Sequence, residues 1–367
     1  MAKPAPHLLL PACCLIVVVA LALAAGVAGD APAPTAAPTL APAHPAATSN
    51  TGNLPQLPAL AVARLVYARV RRALPFLSLP EVGGYTGPRQ RITLIGAGYG
   101  RTGTDSMRVA LAQAGWRPYH KKELVQRDHT SQWDRYAAVR NVPGATDEDP
   151  AVVAAADVLL DFIEAAGFNA TLDFPVVFLL PHLLRRSPHA PVVLSTRATA
   201  AKWATSFLGT IARVHVASCS PPLRYLAQHG LLTFVVNSLG FADPCVLPTQ
   251  AEAEASYLRW LDYVRGIVPA DRLLEHTAKE GWVPLCRHLR LDGDRCPAAR
   301  GQAYPHVNDG ATMKKHLGML EAVTRHWTPI AAALVVLAAV AVAGCLQCWR
   351  CVCRRGGGGG GQKQKGE

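Results

Sequence analysis

Residues 92–106 read ITLIGAGYGRTGTDS and carry the clearest functional signal in the chain. Their apolar start, Ile92 to Ile95, predicts a strand, the glycines predict a turn, and the apolar spacing of residues 107–114 predicts a helix. Glycine lets the backbone approach an oxyanion closely, and the N–H groups at the start of a helix point toward it. Arg101 adds a cation, and three hydroxyls accompany it: Thr102, Thr104 and Ser106. The segment therefore predicts a cradle for phosphate or sulfate.

Two common phosphate loops fit this segment poorly. A Walker A loop needs a lysine after its second glycine, and Thr104 stands there when Gly98 and Gly103 are aligned with the motif. A dinucleotide loop, G-x-G-x-x-G, fits Gly98, Gly100 and Gly103 only when displaced two residues from the strand. No acidic residue closes a clear second strand about twenty residues later, as that fold requires. An NAD(P)-dependent oxidoreductase therefore ranks below the two other functions considered below for this loop, and is the third.

Residues 96–104, GAGYGRTGT, resemble the signature G-x-G-[FY]-G-R-T-G-T of a sulfotransferase-like branch of the P-loop superfamily. Other family motifs follow in order: Tyr119-His120, Asp173-Phe174-Pro175, VVLSTR at 192–197 with Trp203 and Ser206, KEGWVPLC at 279–286, and PHVND at 305–309. The resemblance covers about residues 91–316. It implies an α/β fold, a P-loop-like three-layer sandwich around a central parallel sheet.

The resemblance also implies a co-substrate, 3′-phosphoadenosine-5′-phosphosulfate, and no metal. Arg101 would lie at the sulfonate and its bridging oxygen, and Arg197 with Ser206 would bind the 3′-phosphate. The expected donor-binding residues are Gly98, Gly100, Arg101, Thr102, Gly103, Thr104, Asp105, Ser106, Arg197 and Ser206. Arg197 follows the apolar strand predicted at residues 192–196, and parallel sheets bind ligands beyond the carboxyl ends of their strands.

Two residues could take the proton of the acceptor. His120 has an intrinsic pKa suited to proton transfer near neutral pH. Asp173 lies at a distance before Arg197 that resembles the placement of the base in many sulfotransferases, and like-charge repulsion from a sulfonate would make it more basic. We therefore predict Asp173 as the base, His120 as a contact to the acceptor or the sulfonate, and Arg101 as the third catalytic residue.

The segment after the second strand departs from the family pattern. The family usually has Arg-Asp-Pro, with a tryptophan five residues after the arginine. Here the sequence is Arg197-Ala198-Thr199, and Trp203 stands six residues after Arg197. Because of this one-residue insertion, a second alternative stays open: a non-catalytic, nucleotide-binding membrane protein with the same fold.

The ends of the chain predict a membrane anchor. Residues 1–29 resemble a signal peptide or an uncleaved signal anchor, and residues 329–346 form an uncharged run long enough to span a bilayer. Between them we predict an Ala/Pro/Thr-rich stem at 30–58, a basic amphipathic linker at 59–90 and the sulfotransferase-like domain at 91–316. Residues 347–367 form a Cys/Arg/Gly-rich tail.

Arginines after the second apolar run place the C-terminus in the cytosol and the domain in the lumen. We expect a single-pass protein of a secretory-pathway membrane, the Golgi, with the lipid bilayer as a partner. The sequon Asn169-Ala170-Thr171 is then a candidate for glycosylation. Its closeness in sequence to Asp173 leaves open whether it faces the acceptor cleft.

Four cysteines of the domain would meet an oxidising lumen. Cys286–Cys296 closes the shortest loop and is the first expected disulfide, and Cys219–Cys245 is the second, although four cysteines allow three pairings. The four cysteines of the tail, Cys345, Cys348, Cys351 and Cys353, are candidates for palmitoylation.

The chain has 37 Lys and Arg against 25 Asp and Glu, a net charge of +12. This charge suits an anionic nucleotide donor. The basic residues are spread along the chain with no aromatic-interleaved patch, which argues against nucleic acid as a partner. The acceptor remains open among a glycan, a peptide and a small alcohol.

Overall fold

The computed structural model describes residues 85–220, 229–307 and 310–327, with isolated positions up to residue 347. The predicted signal and stem lie outside the described residues. So do most of the predicted linker, transmembrane segment and tail, together with the cysteines of the signal and the tail. The chain divides into two compact units, one of which spans residues 74–321.

A five-stranded parallel sheet forms the centre of this unit. Its strands are β1 (Leu94–Gly96), β2 (Pro118–Tyr119), β3 (Ala170–Thr171), β4 (Val192–Ser195) and β5 (Leu273–His276). Their order across the sheet is β2-β3-β1-β4-β5, and every neighbouring pair is parallel. Leu94 lies opposite Ala170, and Gly96 lies opposite Val193. The prediction of an α/β fold with a central parallel sheet is confirmed.

Helices follow most strands and begin at recognisable caps. Thr199 accepts a hydrogen bond from the Lys202 N–H at the start of one helix, and Thr249 with Glu252 forms a capping box at another. The helices are α1 (Thr104–Gln113), α2 (Lys121–Gln126), α3 (Thr130–Arg140), α4 (Pro150–Ala165), α5 (Leu180–Arg186), α6 (Ala200–Leu208), α7 (Ile211–Ser218), α8 (His229–Ser238), α9 (Gln250–Ile267), α10 (Trp282–His288) and α11 (Gly310–Arg325).

Apolar side chains cover both faces of the sheet. Ile95, Val192 and Leu194 belong to a large core that includes residues of α3 to α9. Leu94 and Val193 point to the other face, where they join a smaller core with residues of α1 and α10. Alternate residues of one strand point to opposite faces, so buried residues on both faces require a layer of helices on each. The unit is therefore a three-layer sandwich.

Element boundaries differ from the predictions by one or two residues. The first strand was expected at 92–95 and occupies Leu94–Gly96, because Gly96 still pairs with Val193. The second was expected at 192–196 and ends at Ser195. The helix α4, Pro150–Ala165, has a proline in its first turn.

The four cysteines of the domain lie in the two expected pairs. Cys219 and Cys245 have Cα atoms 5.5 Å apart, and Cys286 and Cys296 have Cα atoms 5.6 Å apart, each with a sulfur–sulfur bond. The first pair joins the end of α7 to the loop before α9, and the second joins α10 to the loop after it. Among the described helices, none combines the length and apolar character that crossing a membrane requires.

One buried histidine, His215, and one half-buried histidine, His129, predict how the stability of the fold depends on pH. Burial, with a smaller contribution from Arg127, lowers the pKa of His129 to about 4. Burial, with a smaller contribution from Lys121, lowers the pKa of His215 to about 3. Both histidines are neutral in the folded protein at pH 5, whereas an unfolded histidine binds a proton below about pH 6.5.

The free energy of unfolding should therefore fall as the pH drops from about 6.5 to 4, by up to about 1.4 kcal/mol per pH unit for each histidine. Urea unfolding at several pH values measures this slope. His215→Gln should reduce the slope, whatever its effect at pH 7. His189→Gln, at an exposed histidine, is the matched control and should retain it. An unchanged slope in His215→Gln would contradict the prediction.

Candidate active site

The carboxyl ends of all five strands meet at one edge of the sheet. β1 leads into residues 98–106, which we call the cradle, and β2 leads directly into His120. Asp173 follows β3, and Arg197 follows β4. In parallel sheets of this kind, ligands bind in the crevice beyond the carboxyl ends of the strands. The topology therefore gathers the predicted catalytic and donor-binding residues at one place.

Two glycines of the cradle lie against neighbouring strand ends. A Cβ at Gly98 would fall 2.0 Å from Ser195 Oγ and 2.6 Å from the Ser195 carbonyl oxygen. A Cβ at Gly100 would fall 2.6 Å from Asp173 Oδ1. Thr102 Oγ1 lies 2.7 Å from Ser195 Oγ and donates to the Tyr99 carbonyl at 2.6 Å. The cradle therefore packs closely between the ends of β3 and β4.

Aromatic side chains hold the cradle from behind. Tyr99 is buried against Phe174, Trp203 and Trp260, and burial raises the pKa of its hydroxyl. The indole N–H of Trp203 donates to the Gly100 carbonyl at 2.8 Å, and that of Trp260 donates to the Ala97 carbonyl at 2.7 Å. These two hydrogen bonds hold the carbonyl groups of Gly100 and Ala97 toward the core.

The cradle ends where α1 begins. Arg101 and Gly103 have positive φ angles of 75° and 95°, and Gly103 is the N-cap residue of α1. Glycine offers no side chain to the N–H groups of the first turn, so these groups can point toward a bound anion. The conformation is the one that the glycine-rich sequence predicts.

Arg101 contacts both of the other residues expected around the phosphates of a donor, Arg197 and Ser206. Arg101 Nε donates to Ser206 Oγ at 3.1 Å. Arg197 Nε donates to the Arg101 carbonyl at 2.5 Å, while its backbone N–H donates to the Tyr257 hydroxyl at 3.0 Å. Arg197 is exposed and Arg101 is half-buried. Two guanidinium groups thus flank the cradle beside a serine hydroxyl.

The inserted residue is confined to the loop between β4 and α6. Thr199 caps α6, and Trp203 remains buried with its indole on the cradle. The contact between Arg101 and Ser206 is also present. The departure from the family pattern therefore changes residues 197–199 and leaves the helix behind them in place.

The carboxylate of Asp105 is bound by other side chains of the protein. Burial opposes ionisation, but hydrogen bonds from Lys122 at 2.5 Å and Arg108 at 3.0 Å hold the pKa of its carboxyl below its usual range. Ser106 Oγ accepts a hydrogen bond from the Val307 N–H at 3.0 Å. Of these two predicted donor-binding residues, Asp105 joins α1 to α2, and Ser106 joins α1 to the segment after residue 304.

His120 and Asp173 form a buried pair. His120 Nε2 lies 3.1 Å from Asp173 Oδ2 and 3.4 Å from Thr104 Oγ1. Nδ1 accepts a hydrogen bond from the Lys122 N–H at 3.1 Å. Burial lowers the pKa of His120, although Asp173 and Asp105 oppose this effect. The imidazole is therefore neutral at pH 7.

Asp173 keeps one carboxylate oxygen without a hydrogen-bond partner. Oδ1 is buried and, within the described parts of the chain, makes no hydrogen bond. Asp173 has a positive φ angle of 70°, and the peptide bond between Phe174 and Pro175 is cis. The structure places this oxygen against Gly100 of the cradle.

Asn169 lies away from this site. It precedes β3, whereas Asp173 follows the same strand, so the two residues are at opposite edges of the sheet. Asn169 is half-buried, and its Oδ1 accepts a hydrogen bond from the Arg117 N–H at 2.7 Å. Glycosylation of Asn169 stays a prediction, now at a position remote from the cradle.

Several residues of the site were not singled out from the sequence. Ser195 contacts both Gly98 and Thr102, and Trp260 supports the cradle from α9. The loop after β5 reaches the cradle as well, since a Cβ at Gly103 would lie 3.6 Å from that of Ala278. Of these residues, only Ser195 could have been identified from the sequence, because its hydroxyl lies two residues before Arg197. Among the described residues, no group of three potential metal ligands is close enough to hold an ion.

Comparison with known proteins agrees with this geometry. Residues 93–313, more than half of the chain, match the family model described as "Sulfotransferase domain". The chain therefore belongs to this sulfotransferase family. It is also similar to "Ava biosynthesis cluster protein M" of Aspergillus versicolor, with 29% identity over 202 residues, which cover 52% of this chain and 72% of the relative.

We predict that Gly98→Ala disrupts the site. The new Cβ meets Ser195 backbone atoms, so β1 or β4 must shift, at a cost of about 1–3 kcal/mol in the free energy of unfolding. Binding of 3′-phosphoadenosine-5′-phosphate should weaken together with stability. Gly266→Ala is the matched control, because a Cβ there meets nothing within 4 Å and should stabilise α9 by up to about 1 kcal/mol. Equal stability and affinity in wild type and Gly98→Ala would contradict the prediction.

Proposed function

We propose that this protein transfers a sulfuryl group from 3′-phosphoadenosine-5′-phosphosulfate to a hydroxyl group. The observation that carries the proposal is the contact of Arg101, Arg197 and Ser206 beside the cradle, with a buried carboxylate on its other side. A donor of this kind has a phosphosulfate at one end and a phosphate at the other. Two cations and a hydroxyl at one edge of the cradle suit these charges.

The residues have separate roles in the proposed reaction. The cradle backbone and Thr104 bind the phosphosulfate, and Arg101 stabilises charge on the oxygen that bridges sulfur and phosphorus. The Asp173 carboxylate takes the proton of the acceptor hydroxyl. The acceptor oxygen forms a bond to sulfur, the bond from sulfur to the bridging oxygen breaks, and 3′-phosphoadenosine-5′-phosphate leaves. Positioning and charge stabilisation supply most of the catalysis in transfers of this type.

Asp173 suits the base better than His120 does. Both imidazole nitrogens already face protein atoms, whereas Asp173 Oδ1 has no hydrogen-bond partner within the described parts of the chain. A general base must have a lone pair within hydrogen-bond reach of the proton that it takes. This difference supports the assignment that the sequence suggests.

We predict that the protein binds 3′-phosphoadenosine-5′-phosphate more tightly than ATP or NAD. Arg197→Ala should weaken that binding by about 1.5–3 kcal/mol, or about 10- to 150-fold, through loss of charge-assisted hydrogen bonds. Calorimetry on the full chain in detergent measures both affinities. Arg185→Ala is the control, because this exposed arginine pairs with Asp157 at the opposite edge of the sheet. Equal binding by wild type and Arg197→Ala would contradict the assignment, and binding without transfer would favour the non-catalytic alternative.

We predict that Asp173→Asn lowers turnover by about 100-fold or more, as loss of a general base does. Donor affinity should change little, because the amide has nearly the same size as the carboxylate. The measurement is transfer of radiolabelled sulfate to a panel of glycans, tyrosyl peptides and small alcohols. Asp157→Asn, at an exposed aspartate outside the site, is the control. Full turnover in Asp173→Asn would exclude this residue as the base.

The name of the relative helps to decide which class of acceptor to test first. Its name places it in a biosynthesis cluster, which supports testing small alcohols first. The buried position of Asp173, only 5% exposed, also favours an acceptor whose hydroxyl can enter the crevice.

We also propose a secretory membrane, such as the Golgi, with the domain in the lumen. Two disulfides suit an oxidising compartment. At the isolated described positions of the C-terminal segment, Val336, Leu337 and Val340 are exposed, as side chains facing lipid would be. We predict that protease added to intact vesicles removes a C-terminal tag and spares the domain. A protected tag would overturn this topology.

A further inference from the structure

His120 has both ring nitrogens committed to protein atoms. The Lys122 backbone N–H points at Nδ1, and a backbone N–H can only donate, so Nδ1 must carry a lone pair. The ring is neutral, because burial lowers its pKa. Its single proton is therefore on Nε2, the nitrogen beside Asp173 and Thr104.

The Nε2–H group lies between the carboxylate and the cradle. Its hydrogen bond goes to Thr104 Oγ1 at 3.4 Å, and Asp173 Oδ2 is 3.1 Å from the same nitrogen. His120 and Asp173 are only 4% and 5% exposed. The N–H is directed at Thr104 Oγ1, and Oδ2 lies close beside it, in surroundings where electrostatic interactions are stronger than in water.

This contact distinguishes the two oxygens of Asp173. Oδ2 faces the imidazole, while Oδ1 lies beside Gly100 and makes no hydrogen bond within the described residues. We propose that His120 is a positioning residue that orients the Asp173 carboxylate at the crevice, where it accepts the proton of the acceptor hydroxyl. His120 contacts neither acceptor nor sulfonate. This role rests on the proposed function and replaces the direct contact that the sequence suggests.

The N-cap position of α2 makes the orientation of the imidazole rigid. His120 is the N-cap residue of α2, and its ring accepts from the Lys122 N–H in the way that a capping side chain does. The imidazole therefore performs two tasks, one with each nitrogen. Nδ1 caps a helix, and Nε2 faces the base.

Two substitutions separate these tasks. The Oδ1 of His120→Asn can replace Nδ1 as the acceptor for Lys122, but no N–H remains near Nε2. The side-chain amide of His120→Gln can reach the Nε2 position and donate toward Asp173, but the cap is lost. We expect His120→Gln to retain turnover within about 10-fold of wild type and His120→Asn to lose about 30-fold or more, with donor affinity unchanged in both. The unfolding temperature should show the reverse order.

A double-mutant cycle tests whether His120 acts through Asp173. In the Asp173→Asn background, His120→Asn should lower turnover by less than about 3-fold further, because the carboxylate that it positions is already gone. Equal, additive losses in the two backgrounds would mean that His120 contacts the reacting groups itself. Higher turnover in His120→Asn than in His120→Gln would leave helix capping as its only role.

Nitrogen NMR of the full chain, labelled at histidine, gives a readout independent of turnover. The signal of His120, assigned by its loss in His120→Gln, should show the Nε2–H tautomer at pH 7 and should shift in Asp173→Asn. An Nδ1–H tautomer, or no shift, would overturn the inference. If the wild type transfers no sulfuryl group while these signals are as expected, the proposed function fails and the contact between His120 and Asp173 stands.

Discussion

The site depends on the close approach of the cradle backbone to the ends of β3 and β4. Gly98 lies so near Ser195, and Gly100 so near Asp173, that a single Cβ at either position would overlap its neighbour. Because the approach is this close, the backbone of one loop can face both a carboxylate and the arginine-bearing loop after β4. From the other side, the indole of Trp203 in α6 binds the Gly100 carbonyl of the cradle, and the indole of Trp260 in α9 binds the Ala97 carbonyl just before the cradle.

Charge is separated across the cradle. Arg101 and Arg197 lie on the side of α6, whereas Asp173 and His120 lie on the side of β2. Lys122 and Arg108, the cations nearest His120, are bonded to Asp105. Asp105 pairs with these cations, and burial keeps the His120 imidazole neutral, so a neutral ring lies beside the Asp173 carboxylate. A cation in that place would pair with the carboxylate and make it a weaker base.

The sequence predicted the parts of the site that depend on local conformation. The cradle follows from glycine spacing, and the parallel sheet follows from strand and helix alternation. The two cysteine pairs are the ones we expected first among three possible pairings. Side-chain partners did not follow: Asp105 has its carboxylate bonded to Lys122, and Ser195 lies against Gly98. Such contacts join residues far apart in the chain, and no local periodicity encodes them. His120 and Asp173 were each identified, but their contact depends on the order of β2 and β3 in the sheet.

The inserted residue after Arg197 shows which part of the site tolerates change. Thr199 caps α6 directly after the loop that contains the inserted residue, so the helix begins normally. Trp203 and Ser206 of α6 therefore still contact the cradle. Arg197 in turn contacts the cradle through its own Nε. The side on which we propose that the 3′-phosphate binds is thus a loop with an exposed cation, while the side of Asp173 is buried and packed. Under the proposed mechanism, variation in donor binding can therefore arise without disturbing the geometry of proton transfer.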